Sequence, residues 1–263
     1  MTTQAQTMKL TQFIKAALLL LTFSATSLAS TYDEAQTDWE NVLHTFVNEE
    51  GQTDFITLRN NRSSLDRYVA FIAETSPDTR PELFPDQEAI LAFYINSYNA
   101  LAMHGVIEKN ITTGFNSFFK RAGFFKFHKI IVGGETTSLY DLENDVVRPL
   151  GDPRVHFALN CMVKDCPRLP QKAFTAANLD IELDALTREF FSKDRHLRLD
   201  HEKKTLWVSE ILKFYTRDFV ASGKKQDLLS YINKYVDKKI PENYKIRFIP
   251  YDWTLNQQAL SPN

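Results

Sequence analysis

The sequence predicts a single α+β domain in which a central buried helix packs on a small, mostly antiparallel sheet. One strongly helical segment runs from Asp86 to Glu108 and begins directly after a proline. Two extended segments, residues 127–138 and 197–208, each enclose a glycine-containing or polar turn, which is typical of β-hairpins. With 263 residues, 43% of them hydrophobic, the chain is long enough to bury the core of one large domain.

The central helix is predicted by its cap and its periodicity. Asp86 is a favourable N-cap residue. At about 100° per residue, one broad side carries apolar residues, namely Leu91, Tyr94, Ile95, Tyr98, Leu101 and Ala102. Asn96, Asn99 and His104 fall on the other side with Ala100. A buried amide or imidazole without a partner costs about 1–3 kcal/mol, so these three polar residues form either a structural network or the wall of a site.

Two shorter helices are predicted before the central one. Residues 32–50 place Trp39, Val42, Leu43 and Phe46 at helical spacing, and Gly51 is a favourable stop. Residues 64–72 form the second helix, with Ser63 or Ser64 as its cap.

The segment after the central helix is aromatic and basic between Asn110 and Lys126, and we expect a loop or lid over the core. A hairpin then turns at Gly133-Gly134. Further helices are predicted over residues 138–148, 178–191, 209–220 and 228–235. Residues 245–256 read as a short strand and an aromatic tail that docks on the body.

Both cysteines and a histidine lie in one segment, Arg154 to Pro167. Apolar residues alternate with others there: Val155, Phe157 and Leu159 against His156, Ala158 and Asn160. This period of two predicts a strand that joins the sheet, with His156 and Asn160 on one face. The strand would end in the loop that carries Cys161 and Cys166, because a proline follows Cys166.

The first 29 residues have the pattern of a signal peptide. Lys9 and Lys15 come before the apolar run 16–23, and Ser27-Leu28-Ala29 offers small residues for cleavage. The run is too short to span a bilayer, so no stable membrane insertion is expected after cleavage. We therefore expect an exported protein, periplasmic or secreted, whose single globular domain covers residues 30–263.

The net charge of the chain is −2, and cleavage of the leader would make it more acidic. This charge argues against nucleic acid as a partner, because a polyanion needs a basic surface. No cofactor is predicted.

Five segments carry a resemblance to a known family. These are Ala92–His104, residues 133–142, Val155–Cys161 with Cys166-Pro167, Ile211–Tyr215 with Asp218-Phe219, and Tyr251–Asn256. In this order they resemble the exported bacterial "domain of unknown function 547" family, which supplies no secure activity. The resemblance implies that six residues occupy the family's own motif positions: Asn96, Asn99, His104, His156, Cys161 and Cys166. Asn144 stands where many members carry a histidine, which weakens any mechanism that needs a base there.

Three interpretations of the cysteine segment stay open. Cys166 or Cys161 is a nucleophile with His156 or His104 as its base and Asn99 or Asn96 to orient that base. Alternatively, Cys161 and Cys166 form a disulfide, which export favours. In the third interpretation the two thiols and His156, with or without His104, bind zinc, although their spacing is looser than in structural zinc sites.

Two function classes follow from these interpretations. The first is a cysteine-dependent hydrolase or transferase that acts on amide bonds. The second is a non-catalytic periplasmic binding or scaffold module with a Cys161–Cys166 disulfide, which would take a small-molecule or peptide ligand. We read Lys213 and Asp218 mainly as surface or salt-bridge residues.

Overall fold

The computed structural model of the protein describes residues 32–259, and the predicted signal peptide lies outside that range. Residues 32–46 are helical and are called α1. The other helices are α2 (Phe55–Asn60), α3 (Ser63–Glu74), α4 (Gln87–Glu108), α5 (Phe118–Arg121), α6 (Leu139–Asp141), α7 (Leu179–Ser192), α8 (Ile211–Phe214), α9 (Thr216–Phe219) and α10 (Leu228–Ile232). The strands are β1 (Ile130–Val132), β2 (Glu135–Thr137), β3 (Leu197–Asp200), β4 (Thr205–Ser209) and β5 (Lys245–Ile249).

Helix α4 is the predicted central helix, and it begins where the sequence places it. The Asp86 side chain accepts a hydrogen bond of 2.8 Å from the amide of Ala89, which caps the first turn. Almost the whole helix is buried, with α1 and α3 packed along it. Trp39 of α1 and Tyr68 of α3 stack in this layer with ring centroids 5.5 Å apart.

Two small sheets complete the fold. Strands β1 and β2 form the predicted antiparallel hairpin around Gly133-Gly134. Strand β4 pairs antiparallel with β3 and parallel with β5. Leu206 and Val208 of β4 pack into a second apolar cluster together with Phe157 and the end of α7. These helices and sheets confirm the predicted α+β class.

The predicted strand at residues 154–160 is wrong, and His156 does not lie in the sheet. Residues Pro153–Phe157 form a 3-10 helix. Asp152 caps it by accepting a 2.9 Å hydrogen bond from the amide of Arg154, and a proline is favourable in the first helical turn. His156 is as buried as its two neighbours, so the alternation of residue types does not correspond to an alternation of burial.

The predicted helix at residues 209–220 is divided into α8 and α9. Tyr215 lies between them with φ −120° and ψ 29°, outside the helical conformation, so the helix is interrupted at this residue. The break allows Tyr215 to stack on His156, with ring centroids 3.9 Å apart.

The C-terminal segment docks on the body, as predicted. The amide of Asn256 donates a 3.0 Å hydrogen bond to the carbonyl of Met162, next to the cysteine loop. Gly114 also contacts this segment: its φ is +96°, and a Cβ there would lie 2.3 Å from the carbonyl oxygen of Trp253. Only glycine fits this position. Within residues 32–259 every helix is too short or too polar to cross a membrane.

Candidate functional site

A pocket of about 380 Å³ opens between the cysteine loop, α5, α8 and the C-terminal segment. Eight of the 17 residues that line it are aromatic: Tyr98, Phe118, Phe125, Tyr140, Phe214, Tyr215, Tyr251 and Trp253. Its size and its apolar lining with a few polar groups are typical of small-molecule sites.

Glu143 is the acidic residue in this wall, and it is only 9% exposed. It lies in the π-helical turn Leu142–Val147 that continues α6. The hydroxyl of Tyr98 donates to its carboxylate over 3.3 Å, and Tyr215 lines the same wall. Burial, followed by the charge of Glu143, raises the pKa of both tyrosines well above the ordinary value. Both hydroxyls therefore stay protonated and act as donors.

His156 reaches the pocket from the 3-10 helix, and a carboxylate holds its ring. Its Nε2 lies 2.7 Å from Oδ2 of Asp218, while its Nδ1 has no partner among the described residues. Arg148 binds the same carboxylate through Nε and Nη2, at 2.6 and 2.8 Å. Burial raises the pKa of Asp218, but the hydrogen bonds from Arg148 and His156 outweigh it and hold that pKa well below its ordinary value. Asp218 thus stays ionised beside His156.

The two cysteines form a disulfide, so the disulfide interpretation is confirmed. Cys161 is partly exposed and lines the pocket, with its sulfur 3.6 Å from the hydroxyl of Tyr251. Cys166 is buried behind it, and its sulfur accepts a 3.0 Å hydrogen bond from the amide of Cys161. No thiolate is therefore available in this structure to act as a nucleophile or a zinc ligand. Among residues 32–259 no group of three His, Cys, Asp or Glu side chains is placed to hold a metal ion.

The two asparagines of α4 form structural hydrogen bonds and do not line the pocket. Asn96 accepts from the indole of Trp39 at 3.2 Å and bonds both backbone groups of Phe174, at 2.7 and 3.0 Å. Asn99 donates to the carbonyl of Ala158 at 3.0 Å and accepts from the amide of Asn160 at 2.7 Å. Asn99 therefore positions the backbone that leads into the disulfide.

His104 belongs to a different part of the molecule from the cysteines. Its Nε2 lies 2.8 Å from Arg62 and 3.3 Å from Asp66, at the edge of α3 and α4. Burial, then the charge of Arg62, lowers the pKa of His104. The predicted set is thus divided: His156 and Cys161 meet at the pocket, with Cys166 directly behind, while Asn96, Asn99 and His104 lie elsewhere.

The sequence did not predict Glu143 as a site residue, although one signal for it existed. Leu139, Leu142 and Glu143 lie at helical spacing, which puts a carboxylate on the apolar face of a short helix. Asp218 is predicted as a surface or salt-bridge residue, and the structure places it in an ion pair with Arg148 and against His156.

The comparison with known protein families gives a match over part of the chain. Residues 83–191 match the family described as "Protein of unknown function, DUF547". The matched part supports the resemblance and contains Glu143, His156 and both cysteines, whereas Asp218 and Trp253 lie beyond it. No curated protein and no solved structure matches the chain significantly.

Proposed function

We propose that the protein is a ligand-binding module whose aromatic pocket takes up a small molecule or short peptide. The observation that carries this proposal is a buried carboxylate, Glu143, in a pocket that eight aromatic residues line and that Arg121 and Lys126 flank at its rim. A ligand with an apolar or aromatic body would fill the pocket. An amine or hydroxyl on that body would donate to Glu143, which Tyr98 already orients.

An exported, oxidising environment fits this role. The Cys161–Cys166 disulfide would persist in the periplasm or outside the cell, where the leader at residues 1–29 would direct the chain. In that setting the disulfide stabilises one wall of the pocket, because it closes the loop that carries Cys161.

The cysteine-dependent hydrolase is a second candidate, favoured by one observation: Cys161 lines the pocket near His156. It requires reduction of the disulfide, because only a thiolate attacks an amide carbonyl. It therefore predicts turnover only with a reductant, whereas the binding module works with the disulfide intact.

Titration calorimetry with three matched probes tests the binding proposal. The probes are phenylethylamine, phenylacetate and phenylethanol, which share an aromatic ring and differ in charge. We expect phenylethylamine to bind best, and Glu143→Gln to weaken its binding by about tenfold, as the loss of one charged hydrogen bond implies.

Two further variants separate pocket binding from surface binding. Phe214 lines the pocket but is 46% exposed. Phe214→Ala should therefore weaken the binding of all three probes without unfolding the protein. Ile181 is 69% exposed on α7 and does not line the pocket, so Ile181→Ala should bind all three probes as the parent protein does. If no probe binds, or if Glu143→Gln binds phenylethylamine as well as the parent protein does, the proposal is wrong.

A further inference from the structure

The stretch between Glu108 and Glu135 contains no acidic residue, although the chain as a whole is acidic. It holds five basic residues: Lys109, Lys120, Arg121, Lys126 and Lys129. Such a concentration of one charge sign is an electrostatic feature that attracts anionic partners.

Three large apolar side chains of the same stretch point into solvent. Phe118, Phe119 and Phe127 are 69%, 84% and 69% exposed. They lie on α5 and at the end of the π-helical turn Ala122–Phe127 that continues it. The rings of Phe118 and Phe119 are in contact, with centroids 5.9 Å apart, and exposed apolar side chains of this kind mark an interaction surface. We call these three rings, with Lys120, Arg121, Lys126 and Lys129, the aromatic–cationic surface.

The charges of this surface are not neutralised within the protein. Among residues 32–259 its four cations form no ion pair with a carboxylate. Arg121 lies over the ring of Trp253 at 4.8 Å and Lys126 over the ring of Tyr140 at 5.0 Å. These contacts hold the two cations at the pocket rim and leave their charge available.

We propose that the aromatic–cationic surface docks the protein on an anionic lipid bilayer. Exposed phenylalanines would enter the interface between headgroups and acyl chains, and the adjacent cations would contact lipid phosphates. This docking is peripheral, since no helix of residues 32–259 could cross the bilayer.

Charge complementarity selects lipid over the other partners. The segment before the described residues, residues 1–31, contains two lysines and no acidic residue, so it does not complement a cationic surface. A second copy of the chain would bring two such surfaces together and repel itself. A long nucleic acid would have to run over the acidic remainder of the chain, whereas a bilayer need touch only this surface.

Docking would bring the pocket to the membrane. Phe118, Arg121 and Lys126 belong both to the aromatic–cationic surface and to the pocket wall. Apolar molecules that partition into the bilayer would then meet the pocket mouth directly. The docking itself does not depend on the proposed ligand.

Sedimentation with lipid vesicles tests the proposal on the full chain. We expect binding to phosphatidylcholine vesicles that contain phosphatidylglycerol, much weaker binding to pure phosphatidylcholine, and release by added salt. Lys120→Gln with Lys129→Gln should weaken binding by about 30-fold, since each cation near an anionic surface contributes about 1 kcal/mol. Phe119→Ser with Phe127→Ser should weaken it by at least about tenfold. None of these four residues lines the pocket.

Ile181→Ser is the matched control, because Ile181 is as exposed as Phe127 but lies on α7. It should bind vesicles like the parent protein. Circular dichroism of each variant checks the fold, and phenylethylamine binding checks the pocket, so loss of docking is distinguished from failure of the proposed function. The proposal is overturned if anionic vesicles are not bound, if the phenylalanine variant binds them normally, or if a single-stranded oligonucleotide is bound in their place.

Discussion

Nε2 of His156 and Oδ2 of Asp218 lie 2.7 Å apart, although 62 residues separate them in the chain. The contact joins the 3-10 helix Pro153–Phe157 to α9. Arg148, from a third segment, donates two hydrogen bonds to the same Asp218 carboxylate. It therefore fixes a wall of the pocket by a charged network rather than by apolar packing alone.

Removing the charge of Asp218 should destabilise the protein. We expect Asp218→Asn to lower the free energy of unfolding at neutral pH by about 2 kcal/mol, because Arg148 loses its anionic partner and an amide NH2 replaces one of the two acceptor oxygens. Urea denaturation measures this change. The control is Asp184→Asn, which breaks the exposed pair with Arg188 and should have a much smaller effect, because solvent screens that pair. Equal effects of the two variants would contradict the role of the network.

Because of the Asp218 carboxylate, the free energy of unfolding should decrease at acidic pH. The pKa of Asp218 is lower in the folded protein than its ordinary value of 3.8. Its stabilising contribution is therefore fully present above that ordinary value and is lost as the pH falls through the lower folded value. Asp218→Asn should lack this part of the acid transition when denaturation is followed against pH.

Cys161 and Cys166 should not be alkylated until their disulfide is reduced. Intact mass measured after alkylation without reductant should show no adduct, and after mild reduction Cys161 should react before Cys166, because Cys166 is buried. Replacing both cysteines with serine should cost about 2 kcal/mol of stability for so short a loop. An adduct on either residue without reductant would contradict the disulfide and favour the hydrolase.

His196 should make the free energy of unfolding depend on pH at higher pH values than Asp218 does. Its ring is buried against Phe190 at 3.8 Å between centroids, and neither ring nitrogen has a partner within residues 32–259. Burial, followed by the charges of Arg195 and Lys193, lowers its pKa from 6.5 to about 3. The fold thus keeps the ring neutral, while the unfolded chain binds a proton below its ordinary pKa, so stability falls as the pH drops below 6.5.

The slope expected from one proton is about 1.4 kcal/mol per pH unit. His196→Gln should remove this slope between the two pKa values. His44→Gln is the control, because the His44 side chain is 66% exposed. Denaturation midpoints of both variants are measured across that pH range. The prediction is wrong if the midpoints of His196→Gln and His44→Gln depend on pH in the same way.

Local signals in the sequence determined much of the fold. The cap at Asp86 and the long apolar pattern defined α4 to within one residue, and Gly133-Gly134 located the first hairpin. The strand predicted from the alternation at residues 154–160 is wrong, because a short 3-10 helix can carry the same pattern when consecutive residues, here Val155, His156 and Phe157, are all buried.

The sequence by itself determined that His156 and the two cysteines are close along the chain. It also predicted a Cys161–Cys166 disulfide as one of three interpretations of that segment. Only the tertiary structure decided that His104 lies apart from them and that Asp218, Glu143 and Trp253 surround the same pocket. Periodicity specifies which face of an element is buried, because that depends on neighbours a few residues away. It does not specify which distant elements meet, because packing of the whole core determines those contacts.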